Sequence, residues 1–243
     1  MLVLRHSPER DPKGLAYRRA PIPVHFPVEA EVPETQRHLQ LRTLLYLVLR
    51  HEYRGRHSIG SEQFVYWNAS EPKRCLAPDV FVRLDAPHSA FASWKTWERG
   101  APELAVEIVS DDDRSDKEWQ AKLERYQELG VSELVRFDAD APPGERIRVW
   151  DRLEGDLVER VVEADVTPCR PLGLFWIVGA GLDCPVALRL ARDAEGGELL
   201  RLPEEAEAQA REAEARAREA EARAEAMLNA ALAEIERLKN GRG

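Results

Sequence analysis

Three charged residues lie in segments where hydrophobic side chains otherwise dominate. Asp79 begins the run DVFVRL, Glu107 lies inside LAVEIVS, and Lys122 belongs to a segment of helical character at 115–129. In extended strands, both acids would share a face with apolar residues. An ionised carboxylate in such surroundings is unfavourable unless it is paired or coordinates a metal ion. Asp79 and Glu107 are therefore candidates for chemistry.

Lys122 is placed by helical spacing on the inward stripe of its segment. It lies three residues after Trp119, four before Tyr126 and seven before Leu129, whereas Lys117 falls on another face. An inward ammonium group needs an anionic partner, which the two acids would supply if all three side chains converge. Two carboxylates and a lysine are a set that holds Mg²⁺ or Mn²⁺ and positions water for attack on a phosphodiester.

Each of these residues also has a purely structural explanation. An aspartate before a strand can cap a turn, a glutamate in an edge strand can face solvent, and a lysine on an apolar stripe can extend its amine to water. The combination of Asp79, Glu107 and Lys122 favours function more than any one of them does.

The elements that would position these residues alternate between strands and helices. Periodicity predicts helices at 33–53 and 115–129, the second ended by Gly130. It predicts strands at 63–67, 79–84, 104–109, 132–138, 147–152, 156–162 and 173–178, and a loop at 85–100. The fold class is thus α/β, with one curved mixed sheet between helices.

The chain changes character at both ends. Residues 1–32 contain five prolines and are predicted to form an N-terminal arm, 33–202 the folded domain, and 203–243 an Ala/Glu/Arg-rich helix. AREAEAR occurs at 210–216 and again at 217–223, the seven-residue period of a coiled coil. The predicted seam is Ala210, Ala213, Ala217, Ala220, Ala224, Met227, Ala231 and Leu238. A homodimer is expected, and a lone solvated helix is the alternative.

Composition limits the partners that the chain can bind. The formal net charge of -9 opposes nucleic-acid binding through the overall field, so a local basic patch would be needed. The candidates for such a patch are Arg37, Arg42, Arg50, Arg54, Arg56, Lys73 and Arg74. Three widely spaced cysteines, no apolar run of membrane-spanning length and a charged N-terminus predict a cytoplasmic protein without a membrane segment.

The ordered motifs resemble a known nuclease family. PDVFV, then ELAVEIVS, then KLERYQELGVSELVRFD are similar to the Uma-two family of restriction endonucleases, a branch of the PD-(D/E)xK superfamily. ETQRH with LLYLVL, WKTWERGAPEL and the helical tail fit the same family. The resemblance covers roughly 33–240 and depends on the combination, because each motif alone is weak.

The resemblance implies a restriction-endonuclease-like mixed sheet flanked by helices, with Asp79 and Glu107 as metal ligands. Two residues after the acid, where the superfamily usually has lysine, this chain has Val109. In the Uma-two pattern the lysine comes from the following helix, which here is Lys122. The expected activity is metal-dependent cleavage of nucleic acid, with DNA as the expected substrate and Mg²⁺ or Mn²⁺ as cofactor.

In this mechanism the backbone carbonyl of Ile108 completes the metal site, and Lys122 orients the attacking water. Glu34, His38 and Tyr126 are possible accessory residues. One alternative is a catalytically inactive nuclease fold that binds or regulates and assembles through its coiled coil, because a family resemblance implies fold more securely than activity. Another makes the coiled coil the functional part.

Overall fold

The computed structural model describes residues 9–10, 16–17, 35–87, 89–110 and 116–240. The chain divides into two units, Met1–Pro33 and Glu34–Gly243. In the first unit, strands β1 (Glu9–Arg10) and β2 (Ala16–Tyr17) pair antiparallel. The candidate accessory residue Glu34 lies outside the described residues.

The second unit contains four helices and twelve strands among its described residues. In chain order they are α1 (Gln36–Glu52), β3 (Ser58–Gly60), β4 (Val65–Tyr66), β5 (Cys75–Leu76), β6 (Val80–Arg83), β7 (Trp94–Lys95), α2 (Thr96–Arg99), β8 (Leu104–Ile108), α3 (Asp116–Leu129), β9 (Glu133–Phe137), β10 (Ile147–Leu153), β11 (Asp156–Arg160), β12 (Thr167–Cys169), β13 (Leu174–Gly181), β14 (Cys184–Ala191) and α4 (Pro203–Asn240).

A six-stranded mixed sheet is the centre of this unit. Its strand order is β11-β10-β9-β8-β6-β3, in which β8 and β9 are parallel and the other neighbours are antiparallel. Helix α3 makes the crossover between the two parallel strands, as a parallel connection requires. Smaller three-stranded sheets are formed by β12-β13-β14 and by β5-β4-β7.

The two faces of the central sheet bury different sets of side chains. On one face, residues of α1 such as Leu44 and Leu49 share a cluster with Val106 of β8 and with the β12-β13-β14 sheet. On the other face, Tyr126 of α3 shares a cluster with Ala105 of β8. Alternation along β8 therefore sends neighbouring residues into separate cores, and Glu107 falls on the α3 face.

Local signals explain most element boundaries and one difference from the sequence prediction. Helix α1 begins at Gln36 rather than at Pro33, because Thr35 is the N-cap and its Oγ1 accepts a hydrogen bond from His38 N at 3.2 Å. Gly130 ends α3 with φ 90°, as its position after the apolar stripe predicted. The predicted loop 85–100 contains β7 and α2.

The β13–β14 hairpin was only half predicted. Strand β14 follows a two-residue turn at Leu182 and Asp183, whose φ values are 46° and 63°. Such turns are usually recognised in sequences by Asn-Gly or Asp-Gly, which this chain lacks at that position. The second strand of the hairpin therefore went unrecognised.

Helix α4 is attached to the sheet unit through its first turn. Arg189 of β14, 3% exposed, donates from Nη1 and Nη2 to the two carboxylate oxygens of Glu205, at 3.0 and 2.9 Å. Beyond that turn every side chain that the structure describes is exposed. Pairs four residues apart, such as Glu212 with Arg216 and Glu214 with Arg218, link successive turns. Within the described residues, no helix is both long and apolar enough to cross a membrane.

Candidate active site

The two candidate carboxylates lie side by side in the central sheet, Asp79 immediately before β6 and Glu107 within the adjacent strand β8. Strands β6 and β8 are antiparallel with Val80 opposite Val106, so the same register places Asp79 opposite Glu107 on the α3 face. Asp79 is 5% exposed and Glu107 is 4% exposed. The sheet thus brings together two nearly buried acids that are 28 positions apart in the sequence.

Asp79 is held by the backbone of β8 and by α1. Its Oδ2 accepts a hydrogen bond from Ile108 N at 2.7 Å. Its Oδ1 lies 3.3 Å from His38 Nε2, and the same nitrogen lies 3.1 Å from the carbonyl oxygen of Ile108. The Asp79 carboxylate and the Ile108 carbonyl, both expected metal ligands in the mechanism above, therefore approach the same nitrogen of His38.

Glu107 is held by two residues on one face of α3. Lys122 Nζ donates to Glu107 Oε2 at 2.9 Å, and the Tyr126 hydroxyl donates to Oε1. Lys122 and Tyr126 are four residues apart, so both project from the same side of the helix. Lys117 on the same helix is exposed. The predicted residues thus form two adjoining groups. One contains Asp79 and His38, and the other contains Glu107, Lys122 and Tyr126.

The pKa of Glu107 is raised from 4.5 to about 7. Burial is the largest cause, because it removes water from the charged form. Lys122 opposes the increase by attraction, while the nearby charge of Asp79 adds to it. The acids are therefore close enough to repel each other, and a cation between them would relieve both that repulsion and the cost of burial.

The oxygen atoms available at this site are of the chemical type that binds a hard divalent cation. Two carboxylates and a backbone carbonyl are oxygen ligands of the kind that Mg²⁺ and Mn²⁺ take. Over the described ranges, no group of three or more histidine, cysteine, aspartate or glutamate side chains has the arrangement of a metal site. With the carboxylate of Glu107 on Lys122 and that of Asp79 beside His38, cation binding would require these side chains to shift.

Three arginines of the basic patch suggested by the sequence are paired with acids. Arg37 pairs with Asp140, Arg42 with Glu62, and Arg74 with Glu71 and Glu128. The cation beside the candidate site is instead Arg136, the register partner of Glu107 on β9. The alternation in ELVRF, which puts Arg136 on the same face as Leu134, was the available signal, and the sequence analysis did not use it.

A family profile described as "Uma2: Putative restriction endonuclease" matches residues 27–179. The chain belongs to the Uma2 family. Among solved structures, it is similar to a "putative nuclease belonging to DUF820 from Anabaena variabilis ATCC 29413", with 14% identity, a TM-score of 0.41, and coverage of 56% of this chain and 73% of that chain. No curated protein matches. The Uma2 match includes Asp79, Glu107 and Lys122 and ends before β14.

Proposed function

We propose that this Uma2 protein is a metal-dependent endonuclease that hydrolyses phosphodiester bonds of nucleic acid, with DNA as the expected substrate. The observation that carries the proposal is the pair of neighbouring buried acids, Asp79 immediately before β6 and Glu107 in β8, with the amine of Lys122 on Glu107. A purely structural ion pair would need only one acid for this amine. The second buried acid is better explained by a cation that both acids bind.

Asp79, Glu107 and the carbonyl of Ile108 would hold Mg²⁺ or Mn²⁺. The cation, when bound, would polarise a phosphate oxygen and lower the pKa of a coordinated water. Lys122 would move from Glu107 toward that water, orient it and offset the negative charge that develops on the phosphate. The side chain of Lys122 is 26% exposed, which leaves it room to make this movement.

His38 and Tyr126 would act as accessory residues. The approach of His38 Nε2 to both Asp79 and the Ile108 carbonyl puts a nitrogen donor within reach of the proposed cation. Tyr126 would keep one oxygen of Glu107 fixed through its hydroxyl while the other oxygen binds metal. We expect both residues to contribute less to cleavage than Asp79, Glu107 and Lys122 do.

Calorimetric titration with Mn²⁺ and nuclease assays on DNA and RNA would test the proposal. Glu107→Ala should lose both Mn²⁺ binding and cleavage, whereas Lys122→Ala should keep most Mn²⁺ binding and lose cleavage. The matched controls are Glu124→Gln and Lys117→Ala, which change exposed residues of the same helix. Equal Mn²⁺ titrations for wild type and Glu107→Ala would favour the alternative, an inactive nuclease fold that binds or regulates.

We further propose that α4 forms a parallel, in-register homodimer in the cytoplasm. The seam residues that the structure describes are exposed, Met227 by 75%. With the seam at heptad positions a and d, Glu214 and Glu221 occupy e, and Arg216 and Arg223 occupy g. In a parallel pair, Arg216 would lie near Glu221 of the other chain, whereas an antiparallel pair would bring like charges together.

Removing residues 209–243 would test this assembly, because it deletes the repeat and keeps the Arg189–Glu205 ion pair. Light scattering should then give the mass of a monomer. Arg216→Glu should weaken the dimer more than Arg218→Glu, which changes an arginine outside the e and g positions. Equal effects of the two reversals would count against the parallel arrangement.

A further inference from the structure

Arg136 lies directly beside Glu107 in the sheet. Strands β8 and β9 are parallel and their register pairs these two residues, so their side chains leave the same face of adjacent strands, which are about 4.8 Å apart. On α3, Trp119 lies one turn before Lys122, and the guanidinium carbon of Arg136 is 4.9 Å from the centre of its ring. The helix face that holds Glu107 therefore also supports a neighbouring cation.

Arg136 also borders a cavity of about 730 Å³ at the ends of β9, β10 and β11. This volume is within the range of about 300–1,000 Å³ found for small-molecule pockets, so it can accept a nucleotide. Arg148 lines the same cavity, and its guanidinium carbon is 5.0 Å from the ring centre of Trp150. Arg148 donates two hydrogen bonds of 2.7 and 3.0 Å to Glu159. It lies on β10, one strand further from Glu107 than Arg136 does.

We propose that Arg136 binds the phosphate that neighbours the scissile phosphate of a bound polynucleotide. The inference rests on the proposed function, which puts the scissile phosphate at Asp79 and Glu107. A polynucleotide with one phosphate there must place its next phosphate over a neighbouring element of the protein. The open cavity lies on the β9 side, so the next phosphate would lie near Arg136. The guanidinium group suits this role, because its fork of N–H donors matches phosphate oxygens.

The charge of the whole protein makes such a local contact more important. With a net charge of -9, the overall field repels a polyanion, so affinity must come from a few cations close to the bound strand. Arg136 is the arginine whose strand register places it next to the candidate catalytic carboxylates.

Two measurements on the full-length protein would test the role of Arg136. The first is binding of short fluorescein-labelled DNA and RNA by anisotropy at several salt concentrations, with Ca²⁺ replacing the catalytic metal. The second compares Mn²⁺-supported cleavage of the same oligonucleotides with hydrolysis of bis(4-nitrophenyl) phosphate, a diester without a neighbouring phosphate. The variants are Arg136→Ala, Arg136→Lys and, as the matched control, Arg148→Ala.

Arg136→Ala should weaken oligonucleotide binding about 10-fold, as expected for one charge-assisted hydrogen-bonded contact. The slope of log affinity against log salt should fall by about one. The ratio of kcat/KM for the oligonucleotide to that for the small diester should fall about 10-fold as well, because only the oligonucleotide loses a contact. Arg136→Lys should restore the salt slope and part of the affinity, and Arg148→Ala should change affinity less than about twofold.

Unchanged affinity and salt slope in Arg136→Ala would overturn the inference. Equal losses on the oligonucleotide and the small diester would also overturn it, since Arg136 would then support the carboxylates. An equal loss in Arg148→Ala would show a general effect of surface charge instead. A wild-type protein that cleaves the oligonucleotides with Mn²⁺, together with an Arg136→Ala variant that binds and cleaves them equally well, would refute the inference alone. Absence of Mn²⁺ binding would refute the proposed function.

Discussion

Replacing Glu107 with glutamine should stabilise the metal-free protein at alkaline pH while removing metal binding. Burial raises the pKa of Glu107 from 4.5 to about 7, so above that pH the folded protein contains a carboxylate whose ionisation is unfavourable. At about 1.4 kcal/mol per tenfold change in proton affinity, this increase corresponds to about 3 kcal/mol. Glutamine has nearly the same shape and no charge, although its amide nitrogen needs an acceptor.

The sign of the pH dependence follows from proton linkage. Because the folded state binds the proton of Glu107 more tightly than the unfolded state, this residue stabilises the wild type fully below pH 4.5, and that contribution is lost as pH rises to about 7. Glu107→Gln lacks this loss. The deduction for the unpaired amide applies at every pH. The variant should therefore be about 1–2 kcal/mol less stable than wild type at about pH 4.5 and about 1–2 kcal/mol more stable at about pH 8.

Urea unfolding in a chelating buffer, followed by tryptophan fluorescence across this pH range, would measure the effect. Glu124→Gln is the control, because it changes an exposed glutamate on α3. Adding Mn²⁺ at about 100 times its Kd should stabilise the wild type by about 2.7 kcal/mol and leave Glu107→Gln unchanged. A variant that is less stable than wild type at pH 8, or offset equally at every pH, would refute the reasoning and make the ion pair with Lys122 a stabilising one.

Three further outcomes are expected. Glu133→Ala should lower the free energy of unfolding by about 3–5 kcal/mol in urea, because Arg160 loses its buried carboxylate partner. Mn²⁺ affinity should stay unchanged, and its loss in a folded variant would contradict this expectation. Deleting residues 203–243 should lower the melting temperature well below that of the 209–243 deletion, because only the longer deletion removes the partner of buried Arg189; equal melting temperatures would contradict it. In the native protein a maleimide should modify Cys75 rapidly and spare Cys169, which is fully buried and whose thiol pKa is raised by that burial.

The fold class could be predicted from the sequence because it depends on local periodicity. Apolar spacing identified α1 and α3, and short β-rich runs identified five of the six strands of the central sheet, β3 being the exception. The same periodicity put Lys122 and Tyr126 on one helix face, where the structure has both in contact with Glu107. These features need no knowledge of distant residues, whereas β14 depended on a turn that lacks the usual residues.

The structure was needed to distinguish two acids that look alike in sequence. LAVEI and ELVRF are both short apolar strands with one glutamate, and Glu107 and Glu133 are both nearly buried. Glu133 accepts hydrogen bonds from Arg160, from the indole of Trp176 and from the backbone of Arg170, so its charge is satisfied structurally. Partners that far along the chain have no fixed spacing from which they could be predicted.

The sequence by itself determined which residues are candidates for the chemistry and, through the helical repeat, which face of α3 carries Lys122 and Tyr126. Only the tertiary structure decided that β6 lies beside β8, so that Asp79 is opposite Glu107, and that β9 follows in parallel, so that Arg136 is next to them. The physical reason is that local spacing fixes the direction in which a side chain points, while strand order and register fix what it meets there.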